Sequence, residues 1–471
     1  MAVTGSTRSQ ERTRLAAADL REPAAGQAGP ARREASTLRH RLRMVAACLL
    51  LAAIAFNSAP GMLIPETKLD LAIDPAGFLS RALHLWDPAY FGHLQNQAYG
   101  YLFPMGPFYL LFHTLDMPAW DIQRLWMSLV LCAAFVGTER LARALNIGTP
   151  NTRILGGLAY ALAPHALALI GVNSSEFLPS AVLPWILLPL VHGAQGRLSP
   201  RRAAALSAVA FLFAGGVNAA AELAVLPAPF LYLITRRNGP RKWRLLAWWL
   251  VLTGAVTLWW LIPLLLLGGY IFSFLPFIET ASATTGVTSL INVLRGTSSW
   301  ISFLPVDGKP WIPAAFDQAT VPWLVVATAL VAALGLTGAV RRGTPERAFL
   351  ALCVLTGVFV ITAGHVHDLA HPWAEQVRAL FDGPLAPLRN LHKFDALVRL
   401  PIALGIAALP TAGPVRVRKP AMAVSAGLLT LTLVPVATGG VTPSGAFPDI
   451  PMYWREAATW LNRNVGSGMV L

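Results

Sequence analysis

The stretch YLFPMGPFYLLFHTL, residues 101–115, decides the topology, and the rest of the chain is sorted by how it is read. It is apolar enough to suggest a membrane crossing. A helix that crosses the hydrocarbon layer, however, needs about 20 residues, and this run is shorter and interrupted by Pro104, Gly106 and Pro107. Such a segment reads as a juxtamembrane or re-entrant helix, which is tolerated where it lines a cavity. If it crossed instead, Arg140 and every basic loop beyond it would move to the opposite side.

Outward from this stretch, apolar runs of near-spanning length occur at 44–63, 121–138, 153–171, 177–192, 203–218, 219–234, 244–267, 321–339, 348–364, 399–413 and 421–437. The segments between them separate by charge. The first 43 residues and the loops carrying Arg140, Arg143 and Arg153; Arg197, Arg201 and Arg202; Arg236, Arg237, Arg241, Lys242 and Arg244; Arg341, Arg342 and Arg347; and Arg416, Arg418 and Lys419 hold 26 of the 37 Lys and Arg residues. Under the positive-inside rule these segments are cytoplasmic. The sorting predicts an all-α polytopic membrane protein of about eleven transmembrane helices, with juxtamembrane helices in the first external loop and the N-terminus in the cytoplasm.

Composition agrees. The chain of 471 residues is 55% hydrophobic and 13% charged, with a mean hydropathy of +0.55; soluble chains carry about 25% charged residues. The formal charge of +14 lies in the inner loops rather than in a patch for nucleic acid, so a nucleic-acid partner is not expected. Cys48, Cys132 and Cys353 each sit in an apolar run with no ligand spacing and read as packing residues. Residues 1–43, with nine arginines and no aromatic residue, read as a disordered basic cytoplasmic arm. Residues 44–437 form the transmembrane module, opened by an uncleaved anchor. Residues 438–471 begin an extracytoplasmic region that breaks off at GSGMVL, as in a truncated product.

The acidic residues with chemical potential all fall on the outer side. The first external stretch, PETKLDLAIDPAGFLSRALHLWDPAYFGHLQNQAYGYLFPMGP (65–107), places Asp70 and Asp74 four apart, one helical turn. They suit a general base or a divalent cation such as Mg, Mn or Ca. Asp74 followed by Pro75 equally reads as a helix N-cap with proline at the first helical position. Trp86, Gln95, Asn96, Gln97 and Tyr99 offer the flat apolar faces and neutral hydrogen-bonding groups that bind sugars, or an interfacial aromatic belt. In GVNSSEFLP (171–179), Glu176 is either a helix-start acid or part of an acidic site. Glu222 reads as a headgroup-facing residue. Arg389, His392, Lys393, Asp395 and Arg399 form a cluster unusual for the outer side, suited to a phosphate at the lipid surface or to snorkelling at a helix end. His365, His367 and His371 do not share one helical face, which leaves only a weak metal reading.

Four segments, TKLDLAIDPAGFLSRALHLWDP (67–88), QNQAYGYLFPMGPFYLL (95–111), GGVNAAAELAVLP (215–227) and LRNLHKFDALVRLP (388–401), resemble the membrane module of actinobacterial alpha-(1→3)-arabinofuranosyltransferases of the AftD type. More broadly, the plan is similar to GT-C glycosyltransferases. The resemblance runs from about 44 to 464. It implies a decaprenylphosphoryl arabinofuranose donor, an arabinan acceptor of arabinogalactan or lipoarabinomannan, and cell-wall synthesis outside the cytoplasmic membrane. Family members are longer, so a carbohydrate-binding C-terminal part encoded separately is an expected partner. A beta-linked donor and an alpha-linked product require one in-line displacement. The expectation is that Asp74 or Asp70 acts as base or binds the cation, that Glu176 completes an acidic rim, and that Arg389, His392, Lys393, Arg399 and Lys68 neutralise the departing phosphate. Two other classes compete: a transporter or flippase for lipid-linked sugars, and a non-catalytic membrane scaffold. A carrier places ionisable groups at mid-membrane depth, whereas these acids cluster at external helix ends, which favours an enzyme.

Overall fold

The structure is a computed structural model that describes residues 30–64, 66, 68–87, 93–94, 98–270, 275–411, 414–443 and 452–465. The chain divides into two units, Met1–Ala46 and Ala47–Leu471. In the first, the described residues form the N-terminal part of helix α1, Pro30–Phe56, and are largely exposed. The second is almost entirely helical; its described strands are two short ribbons, Trp86–Asp87 with His93–Leu94 and Pro305–Val306 with Lys309–Pro310.

Each apolar run expected to cross has become helix. The helices after α1 include α2 (Leu69–Ile73), α3 (Pro75–Ala82), α4 (Met105–His113), α5 (Ala119–Ala144), α6 (Pro150–Ala161), α7 (Pro164–Ile170), α8 (Ser174–Ala194), α9 (Pro200–Leu212), α10 (Ala219–Val225), α11 (Pro227–Ile234), α12 (Pro240–Leu267), α13 (Pro322–Val340), α14 (Arg347–Thr362), α15 (Ala396–Ala408) and α16 (Val415–Thr432). Five described helical segments are long and apolar enough to cross a membrane: α5, α8, α12, α13 and the segment Leu391–Thr411 around α15. The bent pair α6 and α7 makes up to six. Of the other expected crossings, α9 has 13 residues, α14 has 16, and 219–234 breaks at Leu226 before Pro227. The chain is thus a helical, multi-pass membrane protein.

Residues 101–115 are occupied by the end of a 3-10 turn, Ala98–Leu102, and by α4. The nine residues of α4 extend about 14 Å at 1.5 Å per residue, less than half the hydrocarbon layer. Asp74 caps α3: its Oδ1 accepts from Gly77 N at 2.9 Å, and Pro75 occupies the first helical position, where its missing N–H costs no bond.

Small residues bring the helices together. A β-carbon on Gly405 of α15 would lie 1.8 Å from the Gly335 carbonyl oxygen of α13, and one on Gly338 would lie 2.0 Å from Gly405 O. Gly156 of α6 faces Ala403 O from the other side of α15 in the same way. Lipid supplies little hydrophobic drive for helix association, so close backbone contact at small residues substitutes for it. Around this crossing Leu155, Val293, Ala332, Ile361, Val398, Ile402 and Ile406 form one apolar core.

At the end of the bundle that carries the basic loops, Arg236 donates to Glu346 through Nη1 (2.7 Å) and also through Nη2, while its guanidinium lies 4.2 Å from the Tyr232 ring centroid. The pair joins the end of α11 to the start of α14 and is half-buried. Because it is two-pronged and stacked, a double-mutant cycle of Arg236→Ala and Glu346→Ala is expected to give a coupling of about 1 kcal/mol, read as non-additive shifts in thermal midpoint.

Candidate active site

The first turn of α8 carries the centre of the site. Glu176 is buried, and its carboxylate is surrounded by donors from two distant parts of the chain and from its own helix start. His392 Nε2 lies 3.0 Å from Oε1; Lys393 Nζ lies 3.5 Å from Oε2; and the amide nitrogens of Asn218 and Asn173 lie 3.2 and 3.4 Å from Oε2. Lys393 Nζ also donates to Asn218 Oδ1 at 3.1 Å. Lys393 is 9% exposed and His392 1%, so charge is held here with little help from water. A carboxylate with this many donors is committed to holding them. Its job in the geometry is to fix the ammonium and the imidazole, not to take a further proton.

Local structure explains the convergence. Residues 391–395 form a 3-10 turn that leads directly into α15, so His392 and Lys393 project at the helix entrance. Asn218 caps α10, its Oδ1 accepting from Ala221 N at 3.1 Å, while its amide reaches Glu176. His165, at the start of α7, packs its ring 5.9 Å from that of His392. The Nδ1 atoms of both rings are buried without a hydrogen-bond partner.

The other residues expected at the site lie around this centre in distinct settings. Arg399 is held by Asp395 (3.1 Å) and by the carbonyls of Val293 and Leu294. Arg389 donates to Leu275 O at 2.9 Å and pairs with Glu279 at 3.7 Å. Of the five expected phosphate-binding residues, His392 and Lys393 therefore share contacts with Glu176, while Arg389 and Arg399 each have a carboxylate of their own. Lys68 precedes α2; burial lowers its pKa, against the pull of Asp70. Asp70 pairs with Arg81 at 3.1 Å and is half exposed. Neither Asp70 nor Asp74 bonds to Glu176 among the described residues.

The aspartate-bearing helices connect by packing to the loop that precedes Asn218. Phe78 of α3 meets Tyr101 edge-on at 5.7 Å, and the backbone at Gly100 rests against the Gly216 carbonyl, two residues before Asn218. Asp70 and Asp74 thus stand on helices that these contacts link to the loop before Asn218. Trp86 is exposed on a ribbon strand, whereas Tyr99 is buried against Trp260 and Leu267, with burial pushing its phenol up to about 12. Gln95, Asn96 and Gln97 lie outside the described residues. Glu222, expected to face headgroups, is buried, and both its carboxylate oxygens lack partners. No group of three or more His, Cys, Asp or Glu residues is placed to hold a metal ion among the described residues, so Asp70 and Asp74 have no third protein ligand there.

Sequence reading passed over Glu66, although it stands in the quoted first loop. Its Oε1 accepts from Ser174 N at 3.0 Å, at the opening of the helix that carries Glu176. Burial raises the Glu66 pKa, outweighing the lowering effect of the Ser174 hydrogen bonds and of Arg124. Its folded-state value therefore lies above its unfolded one. The ionised form is disfavoured by folding, and stability falls as pH rises from the ordinary carboxylate value of about 4.3 through the raised one. Glu66→Gln is expected to raise the apparent melting midpoint at neutral pH, by an amount that shrinks towards pH 4.

Comparison with known proteins gives the family. The sequence profile of alpha-(1→3)-arabinofuranosyltransferase, N-terminal GT-C domain, matches residues 50–471. The chain is 40% identical over 432 residues to alpha-(1→3)-arabinofuranosyltransferase of Mycobacterium tuberculosis, covering 87% of this chain and 30% of that one. It is 40% identical over 448 residues to the protein of the same description from Mycolicibacterium smegmatis, covering 91% and 31%. In structure it is similar to the cryo-EM structure of arabinofuranosyltransferase AftD from mycobacteria, with a TM-score of 0.70 at 38% identity over 90% of this chain and 29% of that one. The chain thus spans about 30% of the length of the curated relatives it matches. It belongs to the alpha-(1→3)-arabinofuranosyltransferase family and corresponds to its N-terminal GT-C domain.

Proposed function

We propose that this module transfers an arabinofuranosyl residue from a polyprenyl-phosphate donor, decaprenylphosphoryl arabinofuranose, to an arabinan acceptor at the outer face of the cytoplasmic membrane, with inversion. The observation that carries the reading is the cluster of Glu176, His392, Lys393 and Asn218: a fixed, poorly hydrated cation at a helix entrance, in a chain of this family. The topology it requires has the N-terminus in the cytoplasm, eleven crossings and the cluster outside, as the loop charges favour.

The chemistry is a single displacement. The acceptor hydroxyl oxygen attacks the anomeric carbon and gives up its proton to a rim carboxylate, Asp74 or Asp70, as the sugar–phosphate bond breaks. The electron pair leaves on the phosphate, where Lys393 and His392 stabilise the charge. Arg389, Arg399 and Lys68 add positive potential at longer range. Trp86, Gln95, Asn96, Gln97 and Tyr99 are assigned to sugar recognition on the chemistry of their side chains alone. No step is assigned to a divalent cation. A general base contributes typically about 10²–10⁴-fold, so Asp70→Asn or Asp74→Asn, whichever removes the base, is expected to slow turnover by that factor. The check is transfer from radiolabelled donor to a synthetic arabinan by the full-length protein in nanodiscs. Near-wild-type transfer by both variants would remove the rim carboxylates from the mechanism.

A further inference from the structure

The first external loop is latched at several points before it reaches its aspartates. Gln123 of α5 grips Ile64 by both backbone groups, at 2.8 Å from N and 2.9 Å from O. Its neighbour Arg124 donates to Ser58 Oγ at 2.9 Å and to Met62 O at 2.9 Å. Two residues after Ile64, Glu66 spans from this loop to the amide of Ser174, whose hydroxyl accepts from Trp126 Nε1 at 3.0 Å. The groups facing the Glu66 carboxylate are therefore Ser174, Arg124 and Tyr109.

We propose that Glu66 is a positioning residue: its carboxylate clasps the opening turn of α8 and thereby sets the first external loop, with Asp70 and Asp74, against Glu176, His392 and Lys393. The two halves of the site come from different places. The rim aspartates ride on α2 and α3; the cluster stands on α8, the Asn218 cap and the entrance to α15. Among the described residues, Glu66 makes the hydrogen bond that joins the loop directly to α8. Only three residues separate it from Asp70, and a chain that short limits how far the aspartates can move once Glu66 is fixed. What Glu66 supplies to Ser174 N is an acceptor, which a glutamine side chain supplies as well; a catalytic base would instead need the charge. Loss of positioning by about 1 Å can lower turnover by about 100-fold without changing a reacting group.

This inference rests on the transfer reaction proposed above, and the test separates the two. Full-length protein in nanodiscs is compared as wild type, Glu66→Gln, Glu66→Ala and Lys393→Ala, with kcat, both KM values and melting midpoint measured for each. Glu66→Gln is expected to keep turnover within about threefold. Glu66→Ala is expected to lose about tenfold to a hundredfold in kcat with the donor KM unchanged, since His392 and Lys393 lie on the other side of the clasp. If Glu66→Ala does not fold, Ser174→Pro serves instead: it removes the donated N–H at a first helical position that suits proline, and is expected to reproduce the loss in kcat. Wild-type kcat in the folded alanine or proline variant overturns the proposal. So does an equal loss in Glu66→Gln, which would make the charge, and not the clasp, the working feature. If Lys393→Ala transfers as wild type does, the proposed reaction site fails, whatever Glu66 does.

Discussion

Glu176→Ala is expected to abolish measurable transfer and to destabilise the protein together. The carboxylate balances Lys393, accepts from His392, and holds the amides of Asn218 and Asn173. Alanine leaves an ammonium in a setting that exposes only 9% of its residue, with no other ion-pair partner among the described residues. Removing one partner of a buried ion pair typically costs about 3–5 kcal/mol. The lysine is then expected to pull residues 391–395 towards water, which removes the fixed positive charge proposed above to meet the departing phosphate. Loss of one preorganised charge-stabilising group typically costs about 10²–10³-fold in turnover, and here two groups lose their anchor at once. Glu176→Gln separates the causes. It keeps an acceptor for His392 and the shape of the site but not the counter-charge, so its melting midpoint should recover further than its turnover. The radiolabelled-donor assay and thermal unfolding monitored by size-exclusion fluorescence read the two quantities. A folded Glu176→Gln that transfers at the wild-type rate would show that the cluster is structural.

The second large effect is expected far from any reacting group. Gly405→Leu should prevent accumulation of the folded protein, because the new β-carbon would sit 1.8 Å from Gly335 O and 2.7 Å from Ala339 N. Both obstructing atoms are backbone in helix α13 and have no rotamer with which to give way. Overpacking usually costs about 1–3 kcal/mol when side chains can adjust; here α13 and α15 must separate, and the closely packed contact that holds them is lost. Because α15 begins immediately after His392, Lys393 and Asp395, the displacement also reaches the site. Gly405→Ala should show the same defect in milder form, with a lowered melting midpoint. A leucine variant that elutes as a folded species with wild-type midpoint would contradict this backbone contact.

These two expectations draw on different information. The sequence alone fixed the local and one-dimensional features. Helices occupy the apolar runs because an unpaired backbone group in lipid is costly, so each run must close its own hydrogen bonds. The shortness and the prolines of 101–115 marked a segment that could not span, and α4 has nine residues. Asp74 before Pro75 spelled a cap and is one. Glu176, His392 and Lys393 were picked out because charge at an external helix end is rare. Hydropathy does not register where Leu226 or the bend between α6 and α7 divides a run.

Tertiary structure decided which of those charges meet. Glu176 and His392 are separated by 216 positions, and nothing periodic along the chain links them. They touch where Asn218, at the start of α10, bridges Glu176 of α8 to Lys393 at the entrance of α15. Arg389 and Arg399 looked equivalent to Lys393 in sequence, yet Glu279 and Asp395 hold them. Glu66 and His165 carried no local signal, because a hydrogen bond to a distant helix end leaves no pattern in the residues beside it. Composition and spacing thus set what each segment must bury or expose. The partners of a buried charge were set by close packing between helices.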